Sequence, residues 1–310
     1  MARQLFFFIS CLVLLGLRKA DKQVYLFTSF REPATGGLCF LYSEDAYHWT
    51  DLGCGFLKPE AGSQKIMRDP SIVQGPDGLF HLVWTTAWHG DPGFGYASSK
   101  DLIHWSAQQF IEVMKDEPAT VNVWAPELFY DKKSRDFLII WASTIPGRFP
   151  RGLEEENNNH RLYITRTKDF RQFTPAKLFF DPGFSVIDAT VVQAKEDSYV
   201  LVLKDNTRPN RNIKVAFSKQ AAGPYTGVSE PFTDTLTEGP SVARLGHEWL
   251  IYYDAYRIKK YGAARTADFR HFTDVSSEVS VPEGHKHGTI IRVPVSIVEA
   301  LKQRTAAGTP

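Results

Sequence analysis

Three acidic side chains each stand at the mouth of an apolar, strand-like run. Asp69 precedes Pro70-Ser71-Ile72-Val73, Asp188 precedes Ala189-Thr190-Val191-Val192, and Glu238 precedes Gly239-Pro240-Ser241-Val242. A carboxylate at the entrance of a buried strand is costly unless solvated or paired, so three in equivalent places point to one shared polar pocket. Two carboxyls facing each other across a pocket can cleave an acetal, one protonating the departing oxygen while the other deprotonates a water. A third carboxylate beside the acid would raise its pKa by like-charge repulsion and keep it protonated near neutral pH. Any one of these acids alone reads as a turn cap or a structural ion pair; their conjunction points to catalysis.

The elements that must position them repeat along the chain. A short signature closes a strand with serine or threonine, an acidic turn and an aromatic: Tyr42-Ser43-Glu44-Asp45-Ala46-Tyr47-His48-Trp49, then Ser98-Ser99-Lys100-Asp101-Leu102-Ile103-His104-Trp105. Weaker copies end at Phe173, Tyr225 and Phe272. Each copy after the first has a β-rich run upstream, at residues 80–86, 137–143, 199–204 and 249–253, and convincing helices are few. Four short strands recurring about every 50 residues are the pattern of blades stacked around an axis. The expectation is an all-β, five-bladed β-propeller occupying residues 22–302 as a single domain. The first repeat, opening at Val24-Tyr25-Leu26-Phe27, lacks an inner strand, and residues 287–293 have the pattern to supply it. The C-terminal strand is therefore expected to close blade one and to cover an otherwise unpaired edge.

If the inner strands begin on one face, that face presents Asp69, Trp124-Ala125, Asp188, Glu238 and His287. The loops joining second to third strands lie on the same face: residues 30–36, 87–93, 144–160, 205–211 and 254–260. They carry Trp88, Arg148, Arg208 and Tyr256, which could supply stacking planes and hydroxyl-binding forks for sugars; singly, each also reads as an ordinary exposed loop residue.

The totals fit a small neutral partner. Lysine plus arginine number 36 against 35 aspartate plus glutamate, so no global field favours nucleic acid or an anionic membrane. Residues 5–17 are apolar or small and follow Arg3, the pattern of a signal peptide over residues 1–20 and hence of export to the periplasm, cell surface or medium. Beyond that segment no membrane contact is expected, and the oligomeric state stays open. Cys39 and Cys54 flank a turn-like segment and could face each other across a hairpin, either as a disulfide or as two buried thiols.

In order, Arg68-Asp69-Pro70-Ser71-Ile72 with Asp77-Gly78, Trp124-Ala125-Pro126-Glu127, Ile187-Asp188 and Glu238-Gly239-Pro240, together with the repeated turn, resemble glycoside hydrolase family 43 over about residues 24–293. The resemblance implies that Asp69 is the general base, Asp188 the pKa modulator and Glu238 the general acid of an inverting hydrolysis. Arg68, Trp88, Trp124, Glu127, Arg208, Tyr256 and His287 would bind the sugar. Glu127 replaces the aspartate common in the Trp-Ala-Pro motif and reads as structural or sugar-binding. His287 matches a histidine that in relatives faces the channel, sometimes beside a cation or its waters. No cofactor is required, and the metal question stays open between a structural calcium or sodium ion, held directly or through water, and none. The branch of galactofuranosidase-type and galactosidase-type enzymes is the nearest in pattern. The implied activity is hydrolysis of an arabinofuranoside, galactofuranoside, galactoside or xyloside in an oligo- or polysaccharide. The loop 144–160, the longest on the presumed active face, can wall off the funnel, so exo-acting removal of one terminal residue is expected, the alternative being an insertion that touches nothing. The alternative is a non-catalytic carbohydrate-binding propeller, against which the complete set of three carboxyls argues.

Overall fold

A computed structural model describes residues 22–308; the expected signal peptide lies outside them. Five antiparallel sheets form the five blades of a propeller. Blade two is Arg68–Gln74, Phe80–Thr85, Phe94–Ser99 and Gln109–Ile111 from axis to rim. Blade three is Trp124–Asp131, Asp136–Ser143, Arg161–Thr167 and Lys177–Phe180. Blade five is Glu238–Leu245, Glu248–Ala255, Lys260–Thr266 and the short Thr273–Asp274. Blade four departs from the expected four strands. It has Val186–Lys195, Ser198–Asp205 and Asn212–Ser218, and its rim is reduced to a single bridge between Phe217 and Thr226.

Blade one is closed from the C-terminus, as the sequence suggested. Gln23–Arg31 pairs on its inner side with Ile290–Pro294 and with His285–Lys286, and on its outer side with Cys39–Ser43, which pairs with Thr50–Cys54. Residues 287–289 interrupt the closing ladder, leaving His287 at the top of the channel. Cys39 and Cys54 are direct partners in this hairpin and are joined by a disulfide. The helix Val295–Ala306 was not among the expected elements; its Val298 and Leu301 are buried among Leu26, Phe40 and Leu52 of blade one.

The strands are apolar because both faces of a blade pack against neighbouring blades. Trp84, Trp141, Phe94 and Leu201 are fully buried, and separate apolar clusters fill the wedges between blades.

The repeated signature is a turn with a definite chemistry. After the third strand of blade two, Ser99 Oγ accepts the Leu102 N–H at 2.8 Å, and Asp101 Oδ1 accepts the Ile103 and His104 N–H groups at 2.9 and 2.8 Å. Leu102 takes φ +64° at the corner, and its side chain is buried. The small oxygen-bearing side chains satisfy backbone donors that no strand can reach.

Candidate active site

Four of the five inner strands begin with the same irregularity. Register shifts fall between Arg68 and Ser71, Trp124 and Glu127, Ile187 and Thr190, and Glu238 and Ser241. Within each lies a residue in the left-handed region: Asp69 (φ +51°), Ala125 (+47°), Asp188 (+49°) and Gly239 (+60°). Such bulges re-aim side chains and collect at functional sites, where surrounding structure holds the strain in place. Asp69 and Asp188 are thus equivalent. Glu238, expected in the same place, stands one residue earlier, in register with Arg68 and Trp124, because Gly239 takes the left-handed position. A Cβ on Gly239 would meet His287 Cγ at 2.0 Å, so this bulge must be glycine for the histidine to fit.

The structure brings Asp69, Asp188, Glu238 and His287 to one cavity of about 230 Å³ at the axis. Asp69 Oδ2 accepts the Thr85 hydroxyl at 2.8 Å, and its Oδ1 lies 3.4 Å from His287 Nε2. Thr85 Oγ1 in turn accepts the Ala125 N–H at 2.8 Å, which fixes the Asp69 carboxylate against the neighbouring blade. Asp188 is buried and accepts the Gly239 N–H at 3.2 Å. Burial pushes its carboxyl above the ordinary range; the nearby His287 and Lys204 offset part of this, and the Glu238 and Asp69 carboxylates add to it.

Glu238 behaves in the opposite way to the expectation. Burial alone would raise its pKa, but Lys204, with help from His287 and Lys286, holds it below the usual range. Lys204 Nζ donates to Glu238 Oε2 at 2.8 Å from a side chain only 3% exposed. The like-charge argument failed because it counted carboxyls and missed this ammonium.

An aromatic wall flanks the acids. The Arg68 guanidinium lies 3.9 Å over the Trp88 ring and 4.7 Å from that of Phe30, and it pairs with Glu32. Trp124 Nε1 donates to the Trp88 carbonyl at 2.8 Å, and its ring stacks on His160 with centroids 5.0 Å apart. His160 is wholly buried, and burial depresses its pKa to about 3, so it serves as a neutral aromatic support. Trp88 remains 45% exposed at the mouth.

Other expected binding residues fall elsewhere. Arg208 does not line the cavity; it lies 3.8 Å from Glu154 and 3.6 Å from Glu155, and Arg211 points inward in its stead. Tyr256 is not part of the lining; its ring lies 5.3 Å from Lys204 Nζ. Arg148 is turned away onto Glu117, with contacts of 2.7 and 2.9 Å. Lys204, Asn206, Arg211 and Asn158 line the cavity unforeseen. A lysine ending the apolar run Tyr199-Val200-Leu201-Val202-Leu203 was the available signal for the first. The loop 144–160 is anchored, because its buried Glu154 takes the Arg211 guanidinium at 3.1 Å.

Glu127 sits below the pocket, where a smaller cavity of about 30 Å³ runs down the axis. Its two carboxyl oxygens accept the Ser71 hydroxyl at 2.8 Å and the Thr190 hydroxyl at 2.5 Å, and Thr289 donates onward to Ser71 at 3.0 Å. These residues each lie two positions after a bulge or after His287, so one belt of side chains links blades one to four. Burial raises the Glu127 carboxyl to about 7, with the hydroxyl donors pulling the other way. Some of its surface faces the narrow channel, but the group is surrounded by protein, and the raised value follows from that.

Among the described residues no group of three or more His, Cys, Asp or Glu side chains is placed to hold a metal ion. His287, with Asp69 as its one acidic neighbour within 4 Å, does not make an all-protein cation site.

The fold has counterparts among solved structures. An α-L-arabinanase from Cellvibrio cellulosa, complexed with arabinohexaose, superimposes with a TM-score of 0.57 at 15% identity, covering 84% of this chain and 94% of that one. An α-L-arabinofuranosidase from Clostridium thermocellum gives 0.57 at 14% identity, covering 82% and 91%. One from Lactobacillus brevis gives 0.51 at 19%, covering 68% and 72%. Among curated proteins, none matches the sequence. A family model described as a probable glycosyl hydrolase domain, related to glycoside hydrolase family 43, matches residues 21–299. With three carboxyls and a histidine at the head of a five-bladed channel, the chain belongs to that family and is a glycosidase.

Proposed function

We propose that this glycosidase removes one terminal sugar from a glycan chain end or side branch, with inversion. The observation that carries the reading is the single cavity of about 230 Å³ with all three acids in its lining. Ligand sites for larger molecules run to roughly 300–1,000 Å³, so this one suits about one sugar ring. Asp69, oriented by Thr85, is the base that takes the proton of the attacking water. Glu238 is the acid that protonates the leaving oxygen, and Asp188 modulates it across the Gly239 N–H. Arg68, Trp88 and Trp124 provide the platform for the ring, Asn206 and Arg211 add hydroxyl contacts, and Glu127 shapes the floor.

Arabinofuranosides lead the substrate candidates, since proteins of similar fold bear arabinanase and arabinofuranosidase names; galactofuranosides, galactosides and xylosides follow. We read the chain as exported, which the Cys39–Cys54 disulfide supports, because such bonds persist in oxidising compartments. No step is routed through a metal.

A panel of aryl glycosides tests the reading. Release of the aryl group that disappears in Glu238→Gln supports it; binding without turnover would make the chain a carbohydrate-binding propeller. On arabinan or galactan, monosaccharide as sole early product supports exo-action, while early mixed oligosaccharides would sink it.

A further inference from the structure

We propose that Lys204 is a positioning residue of the reaction, whose ion pair with Glu238 keeps the acid unloaded in the empty pocket and opens when a sugar hydroxyl engages the ammonium. The inference rests on the reading of Glu238 as the acid. Lys204 lies on the second strand of blade four, opposite Ile187, and so beside the Asp188 bulge. Its side chain is 3% exposed, yet it lines the sugar-sized cavity, and one of its three donors is spent on Glu238 Oε2 at 2.8 Å. The face of Tyr256 lies 5.3 Å from Nζ, where it attracts the cation and accepts no conventional hydrogen bond. The remaining donors therefore have the pocket as their outlet, where the hydroxyl oxygens of a sugar would arrive.

A carboxylate in contact with a buried ammonium is a poor proton donor, since protonating it would strand the cation. The other charges around Glu238 do not replace this contact. Asp188 lies across the Gly239 N–H; Asp254, on the strand paired with that of Glu238, is itself bound by Lys286 at 2.6 Å; His287 faces Asp69; Tyr261 is half-buried with its hydroxyl covered. Each hydrogen bond that a sugar oxygen takes from Lys204 weakens its hold on Glu238, and the expelled water can no longer stabilise the carboxylate. Loading of the acid is thereby tied to occupancy of the pocket, and an empty site holds no proton where a stray water could use it.

The test compares wild type, Lys204→Met and Lys204→Arg on the aryl glycoside that wild type turns over best. Without the cation Glu238 binds its proton more tightly, so the alkaline limb of kcat/KM should move up by at least about one pH unit in Lys204→Met. In Lys204→Arg it should stay. Lower rates with an unmoved limb would reduce Lys204 to packing and overturn the proposal. Because removing one partner of a buried pair can unfold a protein, Lys204→Gln is the second variant, and melting curves accompany each.

An activity-independent readout is the Glu238 carboxyl followed by ¹³C NMR across pH. Its midpoint should lie below that of an ordinary glutamate in wild type, rise in Lys204→Met, and rise in wild type when the released monosaccharide is saturating. A midpoint indifferent to both variant and sugar overturns the proposal while leaving hydrolysis intact. Midpoints that move as stated with no glycoside turned over would instead fail the hydrolase reading and uphold the hold of Lys204 on Glu238.

Discussion

At the rim, four blades build their turn from the same atoms. The hydroxyls of Ser43, Ser99, Thr167 and Thr266 accept the N–H groups of Ala46, Leu102, Phe170 and Phe269 at 2.8–2.9 Å, and all four donor residues are left-handed. At the axis four blades share a bulge just as regular, yet the residues on it are Asp69, Ala125, Asp188 and Gly239. Backbone is repeated in both places; the turn-forming side chains recur in all four copies at the rim, whereas at the axis only Asp69 and Asp188 match. A rim turn has one task, satisfying its own donors, so each copy arrives at the same residues. The bulges converge on a single pocket where four carboxylates would repel, so one geometry presents two aspartates, an alanine and a glycine.

The sharpest way to break this arrangement is to remove the strand that closes the ring. Truncation before His287 should abolish cooperative melting, since it deletes the inner strand of blade one and exposes the edge of Gln23–Arg31. A soluble truncate with a sharp melt would mean that the axis does not depend on closure.

Next in size come the acids themselves. Asp69→Asn and Glu238→Gln should each cut kcat by roughly 10²–10⁴-fold, as read by aryl release. Calorimetry should find the melting temperature little changed in Asp69→Asn and lowered in Glu238→Gln, which leaves the buried Lys204 ammonium without its anionic partner. Asp188→Asn should lower kcat and also shift the pH profile.

Glu127 gives a stability test with a definite sign. Its folded pKa is raised to about 7 from 4.5, so the stability it contributes is full below pH 4.5 and lost as pH rises through 7. Denaturant melts of wild type and Glu127→Gln should therefore diverge by about 3 kcal/mol between pH 4 and pH 8, wild type losing more. Parallel curves would show that the hydroxyls of Ser71 and Thr190 already solvate the charge.

Gly239→Ala probes why one bulge must be glycine. Ala125 shows that a Cβ is tolerated at the same φ, so the cost should come from His287, at about 1–3 kcal/mol, together with loss of activity. Thr266→Val at the rim removes only the local hydrogen bonds of one hydroxyl, to Asp268 and Phe269, and should cost about 1 kcal/mol with activity intact. The rim has an acid signature as well. The N–H and imidazole of His271 hold Asp268 well below the carboxylate range, so its stabilisation is present above about pH 4 and fades as pH falls further.

What could be read without a structure was what is local or periodic. The rim turn needs only residues two and three apart, and its copies fixed the number of blades; the apolar runs placed the strands within a residue or two. The missing inner strand of blade one and the pattern at residues 287–293 were enough to foresee closure. Asp69, Asp188, Glu238 and His287 were foreseen in one pocket because strand starts in a ring must meet at the axis. Tertiary structure alone decided which groups touch. Lys204 and Glu238 belong to different blades, and Glu127 meets Ser71 and Thr190 across two blade boundaries, so no spacing announces them. It also chose Arg211 over Arg208, joined Cys39 to Cys54 through hairpin register, and set one acid above and another below its ordinary pKa. Charge state follows from burial and from neighbours within a few ångströms, and a chain acquires those neighbours only when its ring has closed.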